Sequence, residues 1–85
     1  MVRCWAREFG PRGITVNVVA PGTIRTRLYD WDKSPESYQS AIDRIPLGRV
    51  GEPEDCVGLY LLLASDEGSF INGQVIEVSG AMQAV

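Results

Sequence analysis

The sequence predicts an α/β protein built on a parallel sheet with helical crossovers. Residues 14–20 and 74–78 are rich in β-branched side chains and bounded by Gly and Pro, as buried strands are. Helical patterns precede the first run and fill the interval between the two. Strands joined through helices pair in parallel, with right-handed connections.

The elements follow in order. Val2, Trp5, Ala6 and Phe9 recur at the i, i+3, i+4, i+7 spacing of one helical face. Gly10-Pro11 stops this helix, Gly10 as its C′ residue and Pro11 as a breaker. No capping residue precedes Met1, so the helix reads as the tail of a longer one. The first strand spans 14–20; its second face carries Thr15, Asn17 and Val19, too apolar for solvent. Pro21-Gly22 ends it. Residues 23–51 are irregular, with Tyr29, Trp31 and Tyr38 among mixed charges. Within them Ser34-Pro35-Glu36 starts a helix running to about Ile45, with Ser34 as N-cap and Pro35 at N1. Glu52-Pro53-Glu54-Asp55 starts the next, its carboxylates favouring the positive end of the helix dipole. Residues 56–64 are apolar nearly all round, which predicts a helix covered by protein on more than one side. Asn72-Gly73 reads as a helix-to-strand turn, because Phe70-Ile71 is too short an arm for a hairpin.

Composition narrows the function. The chain has 85 residues, 45% hydrophobic and 22% charged, as in a soluble globular protein. That length makes one small core, without room for both a nucleotide-binding domain and a complete catalytic site. Eight Lys and Arg against eleven Asp and Glu give a net charge of −3, which argues against a nucleic-acid partner. The absence of histidine removes a Ser-His-Asp triad and a His-based zinc site. Cys4 and Cys56 form no CxxC pair and suit buried thiols in a reducing cytosol. The longest apolar run, 59–64, is far short of a membrane span, and the N-terminus has no apolar signal region. A cytoplasmic protein without metal is expected. A two-stranded parallel sheet does not stand alone in water, so further strands are expected from outside the chain.

The segment Gly13-Ile14-Thr15-Val16-Asn17-Val18-Val19-Ala20-Pro21-Gly22 resembles the late-strand motif of the short-chain dehydrogenase/reductase family. The likeness extends along the chain: Glu8-Phe9-Gly10-Pro11-Arg12-Gly13 before that strand, Pro21-Gly22-Thr23-Ile24-Arg25-Thr26 after it, Pro46-Leu47-Gly48-Arg49 with Gly51-Glu52-Pro53-Glu54-Asp55 at the penultimate helix, and Leu63-Ala64-Ser65-Asp66 with the closing turn and strand 71–80. It is most like the 3-oxoacyl-carrier-protein-reductase-like members. The resemblance implies a Rossmann-type, doubly wound parallel sheet of which this chain holds only the last two strands and their helices. It would be the C-terminal part of a single NAD(P)-binding domain, with 27–51 as the substrate-lobe insertion. The activity implied is hydride transfer between NAD or NADP and a carbonyl or alcohol.

By position in the motif, the Ile24 backbone would bond the nicotinamide carboxamide, and the Thr26 hydroxyl the carboxamide or a phosphate. Pro21, Gly22 and Thr23 would shape that wall, and Tyr29, Trp31 and Tyr38 fall in the variable substrate lobe. Pro-Gly alone would also suit a simple strand-ending turn. The family's glycine-rich loop, its catalytic Asn and Ser and its Tyr-x-x-x-Lys pair are not among these residues, so no catalytic residue is expected here. Tyr29-Asp30-Trp31-Asp32-Lys33 has that last spacing but stands after the cofactor loop, with two aspartates offsetting the lysine. Arg25 and Arg27 could favour a cofactor phosphate, but at this spacing they are expected to be solvated. The resemblance further implies a homo-oligomer, dimer or tetramer, joined through the apolar helix and last strand. The alternative is a short non-catalytic module that assembles with a full-length subunit.

Overall fold

The computed structural model describes residues 1–26 and 35–82. Helix α1 is Val2–Phe9, strand β1 Val18–Pro21, helix α2 Pro35–Asp43, helix α3 Glu54–Ala64 and strand β2 Val75–Val78. Short 3-10 turns follow α1 at Gly10–Arg12 and α3 at Asp66–Gly68. The two strands form one sheet. Val18 N–H donates to the Gln74 carbonyl and Gly22 N–H to that of Val78, at 2.8 and 2.9 Å. Partners that advance together along both strands make the pair parallel. The expected α/β order is therefore present.

The chain folds as two compact units, Met1–Ala20 with Val57–Glu77, and Pro21–Cys56 with Val78–Val85. In the first unit α1 buries Ala6, while Trp5 on the same face is exposed. Gly10 is not the C′ residue the sequence suggested: it is right-handed helical, and the chain continues through the 3-10 turn. The left-handed residue is Gly13, at φ 76°. Its N–H donates to Gly10 and the Ile14 N–H to Phe9, the bond pair of a Schellman cap that glycine adopts without strain.

The first strand also begins later than residue 14. The Val16 N–H donates to the Asn72 side chain, and the Asn17 side chain accepts from the Gln74 N–H and donates to the Ile71 carbonyl. Asn72 donates onward to the Ala6 carbonyl at 3.4 Å. Before Val18 these side-chain amides thus make most of the bonds between the two segments, beside one backbone bond from the Gly73 N–H to the Val16 carbonyl at 2.9 Å. The Asn72-Gly73 turn leads into β2 with no strand at Phe70-Ile71.

In the second unit α2 stops at Asp43 rather than Ile45, and Arg44 and Ile45 close one further turn by donating to Ala41 and Ile42. Ala41, Ile45 and Val50 form a buried cluster, with Tyr38, Ile42 and Met82 packed against it. Ser34, the expected N-cap, lies outside the described residues. Helix α3 starts where predicted. Within the chain, however, it is not covered on several sides: Cys56 is buried, while Val57, Tyr60, Leu61 and Leu62 are exposed. Among the described residues no helix is long and apolar enough to cross a membrane.

Candidate functional site

Residues 21–26 leave the carboxyl end of β1 and form the candidate site. Pro21 is the last strand residue, where its missing N–H breaks no ladder bond. Gly22 approaches the chain just beyond β2. A Cβ on it would lie 2.8 Å from the Ser79 Cβ and 2.9 Å from the Ser79 Cα. The space that glycine leaves open is therefore taken up by Ser79. Thr23 donates its hydroxyl to the Met82 sulfur at 3.5 Å.

Ile24 forms an isolated parallel bridge with Gly51. The Arg25 N–H donates to the Gly51 carbonyl at 2.7 Å, and the Gly51 N–H to the Thr23 carbonyl at 2.8 Å. In this pattern the flanking residues make the bonds, and the N–H and C=O of Ile24 point away from Gly51. Among the described residues the Ile24 N–H has no hydrogen-bond acceptor. Thr26 is exposed.

Arg25 was expected to be solvated. Instead its Nε donates to Glu52 Oε1 at 2.9 Å, and its guanidinium carbon lies 6.0 Å from the centre of the Tyr38 ring. Glu52 was read only as a helix-dipole partner, and nothing local in the sequence marks its pairing with a residue 27 positions away. Asp55 does serve the start of α3. Its carboxylate accepts from the Glu52 N–H at 2.7 Å, the reciprocal half of a capping box. It also accepts two bonds from Arg49, at 2.8 and 3.2 Å. The Arg49 guanidinium foremost, and then the Glu52 N–H, hold the Asp55 carboxyl down at about 2. The Arg49 pKa is raised in return.

Thr23 and Ile24 line a recess of about 160 Å³, together with Gly51, Val78, Ser79 and Gly80, and with Arg49 and Asp55 as its charged groups. A cavity of about 150 Å³ holds benzene, so the recess has room for one six-membered ring. Tyr38 packs on the α2 cluster, whereas Tyr29 and Trp31 lie outside the described residues, as does Arg27. Sequence reasoning did not single out Gly51, Ser79 or Gly80, which reach the recess through long-range pairing. Among the described residues no group of three His, Cys, Asp or Glu could hold a metal.

Parallel strands linked through helices, with a recess beside the segments leaving their carboxyl ends, define an α/β protein of the open-sheet class, in which ligands bind at those ends. The chain belongs to the short-chain dehydrogenase/reductase family: the family model described as enoyl-(acyl carrier protein) reductase matches residues 1–83. It is 47% identical over 83 residues to the 3-oxoacyl-[acyl-carrier-protein] reductase of Thermotoga maritima, covering 96% of this chain and 33% of that protein. It is also 47% identical, over 81 residues, to a (2S)-[(R)-hydroxy(phenyl)methyl]succinyl-CoA dehydrogenase subunit of Thauera aromatica, covering 94% and 32%. Among solved structures, a blue fluorescent protein from a metagenomic library, in complex with NADPH, matches with a TM-score of 0.88 at 34% identity. That match covers 99% of this chain and 33% of the other. The chain thus spans about a third of the length of the relatives it matches.

Proposed function

We infer that this chain is the C-terminal part of an NAD(P)-dependent oxidoreductase and supplies the wall against which the nicotinamide lies. The whole enzyme moves a hydride between that cofactor and a carbonyl or alcohol. The observation that carries this reading is the Ile24 N–H, directed away from its Gly51 bridge and without an acceptor among the described residues, in a loop leaving the carboxyl end of a parallel strand. A backbone donor so held suits a carboxamide oxygen, and the neighbouring recess has room for a ring. When bound, the cofactor would donate the hydride to a carbonyl in its reduced form or accept it from an alcohol in its oxidised form. On the side of this chain, Ile24 donates, the Thr26 hydroxyl bonds the carboxamide or a phosphate, and Pro21, Gly22 and Thr23 shape the wall and exclude water. Tyr29, Trp31 and Tyr38 belong to the substrate lobe, Tyr38 as packing. The acid-base Tyr and its Lys come from the remaining two thirds of the polypeptide.

The substrate is left open by relatives that are equally similar yet carry names as different as a 3-oxoacyl-[acyl-carrier-protein] reductase and a (2S)-[(R)-hydroxy(phenyl)methyl]succinyl-CoA dehydrogenase subunit. The enzyme works in the cytoplasm as a homo-oligomer, with the exposed apolar residues of α3 and β2 at the contact. The second reading, a short module that joins a full-length subunit, draws on the same exposed residues. Two measurements test the reading: the mass of the native polypeptide, and titration of that polypeptide with NADPH and NADH followed by cofactor fluorescence. A mass near 9.3 kDa without cofactor binding favours the module. Thr26→Ala should raise the cofactor Kd about threefold to tenfold with Tm unchanged, the effect of one lost hydrogen bond. An unaltered Kd removes Thr26 from the site.

A further inference from the structure

We propose that Glu52 is a positioning residue for the cofactor loop, acting through Arg25 to hold the Ile24 peptide at a fixed angle. The proposal rests on the reading above, in which the Ile24 N–H faces the carboxamide.

Glu52 is not needed to cap the helix with its side chain. It sits just ahead of Pro53 at the start of α3, where its carboxylate would ordinarily serve the helix dipole. Asp55 already performs that service by accepting from the Glu52 N–H. The Glu52 side chain is thereby left for another task, and it pairs with Arg25 at 2.9 Å. The pairing joins the same two dipeptides that the backbone joins. Residues 24 and 51 form the bridge, and 25 and 52, the next residue on each side, form the ion pair.

The bridge by itself is a single isolated step of parallel pairing, with no named strand to continue it. Its two bonds fix the distance between the segments but resist rotation about the loop only weakly. A side-chain clamp one residue further along opposes that rotation. The Tyr38 ring beside the guanidinium narrows the positions Arg25 can take. The clamp thus acts on the direction of the Ile24 N–H, which has no acceptor among the described residues. The side chains of Arg25 and Glu52 are 41% and 44% exposed, so water screens the pair without abolishing it.

The test uses the native polypeptide that contains this chain and reads the Kd for NADPH by fluorescence titration, with Tm measured alongside. Glu52→Ala should raise Kd about threefold to fivefold, the ceiling that a half-exposed ion pair allows. Glu52→Gln keeps an oxygen that can accept from the Arg25 Nε–H and should restore at least half of that loss on a logarithmic scale. In a double-mutant cycle, Arg25→Ala combined with Glu52→Ala should bind no worse than the weaker single variant. A Kd within about 1.5-fold of the unaltered protein for Glu52→Ala overturns the proposal. Additive losses in the cycle, or losses that track a falling Tm, overturn it equally. Failure of the unaltered protein to bind either cofactor overturns the cofactor reading and this proposal with it.

Discussion

Gly22 shows how one absent side chain can be required by the protein itself and not only by a ligand. With 2.8 Å to the Ser79 Cβ and 2.9 Å to its Cα, a methyl group at Gly22 has no space, and the Cα cannot rotate away. Gly22→Ala should therefore cost about 1–3 kcal/mol, as overpacking does. Thermal denaturation of the native polypeptide that contains this chain, without cofactor, would show it; an unchanged Tm would mean that β2 and its loop shift freely. This contact was not legible in the sequence, where Pro21-Gly22 announced only a turn or a ligand wall, because the partner stands 57 positions away. Gly13 was hidden for a different reason. Gly10 and Gly13 both follow α1 closely, and only the bond pair from Gly13 and Ile14 decides which of them turns the chain. Arg25 is partly solvated as its spacing suggests, but its ion pair was not legible because spacing says nothing of a carboxylate brought in from another element.

Among the elements, the start of α3 was the most legible, since Pro53 and the acidic residues around it are local signals with local causes. The same start carries a pH dependence. The Asp55 carboxyl is held at about 2, below its ordinary 3.8, by Arg49 and the Glu52 N–H. A depressed folded-state value stabilises above the unfolded value, so the contribution is full above about pH 4 and is lost as pH falls toward 2. Urea denaturation of the native polypeptide that contains this chain, at pH 5 and pH 2.5, should show Asp55→Asn narrowing the difference between the two. An equal difference in both proteins would detach Asp55 from the stability of the helix start. The strand beginning at Val18 was less legible. The apolar pattern over 14–20 is real, but the Val16 N–H donates to the Asn72 side chain and the Asn17 side chain bonds the Ile71 and Gln74 backbone, and a pattern of hydrophobicity does not report who supplies the bonds. The apolar character of α3 was read correctly as well, yet it fixed no partner within the chain: Tyr60 and Leu61 remain more than half exposed.

At the scale of the whole molecule, the buried apolar side chains among the described residues are few: Ala6, Ala41, Ile45, Val50 and Cys56. Trp5, Val57, Tyr60, Leu61 and Phe70 stay in solvent. A chain with so little sequestered surface and a two-stranded parallel sheet has little to offset the entropy of ordering. Residues 1–85 expressed alone should melt over a broad range or show no transition by circular dichroism. A single sharp transition would demonstrate a self-sufficient fold. The asparagine seam bears on this in another way. Sliding one strand by a residue ordinarily exchanges the faces its side chains occupy. Here it would also strand the amides of Asn17 and Asn72 away from Val16, Ile71 and Gln74, a penalty that a purely backbone ladder does not impose. The pairing is thus keyed like a lock, and a misaligned sheet is rejected by its polar groups before its hydrophobic ones are ever compared.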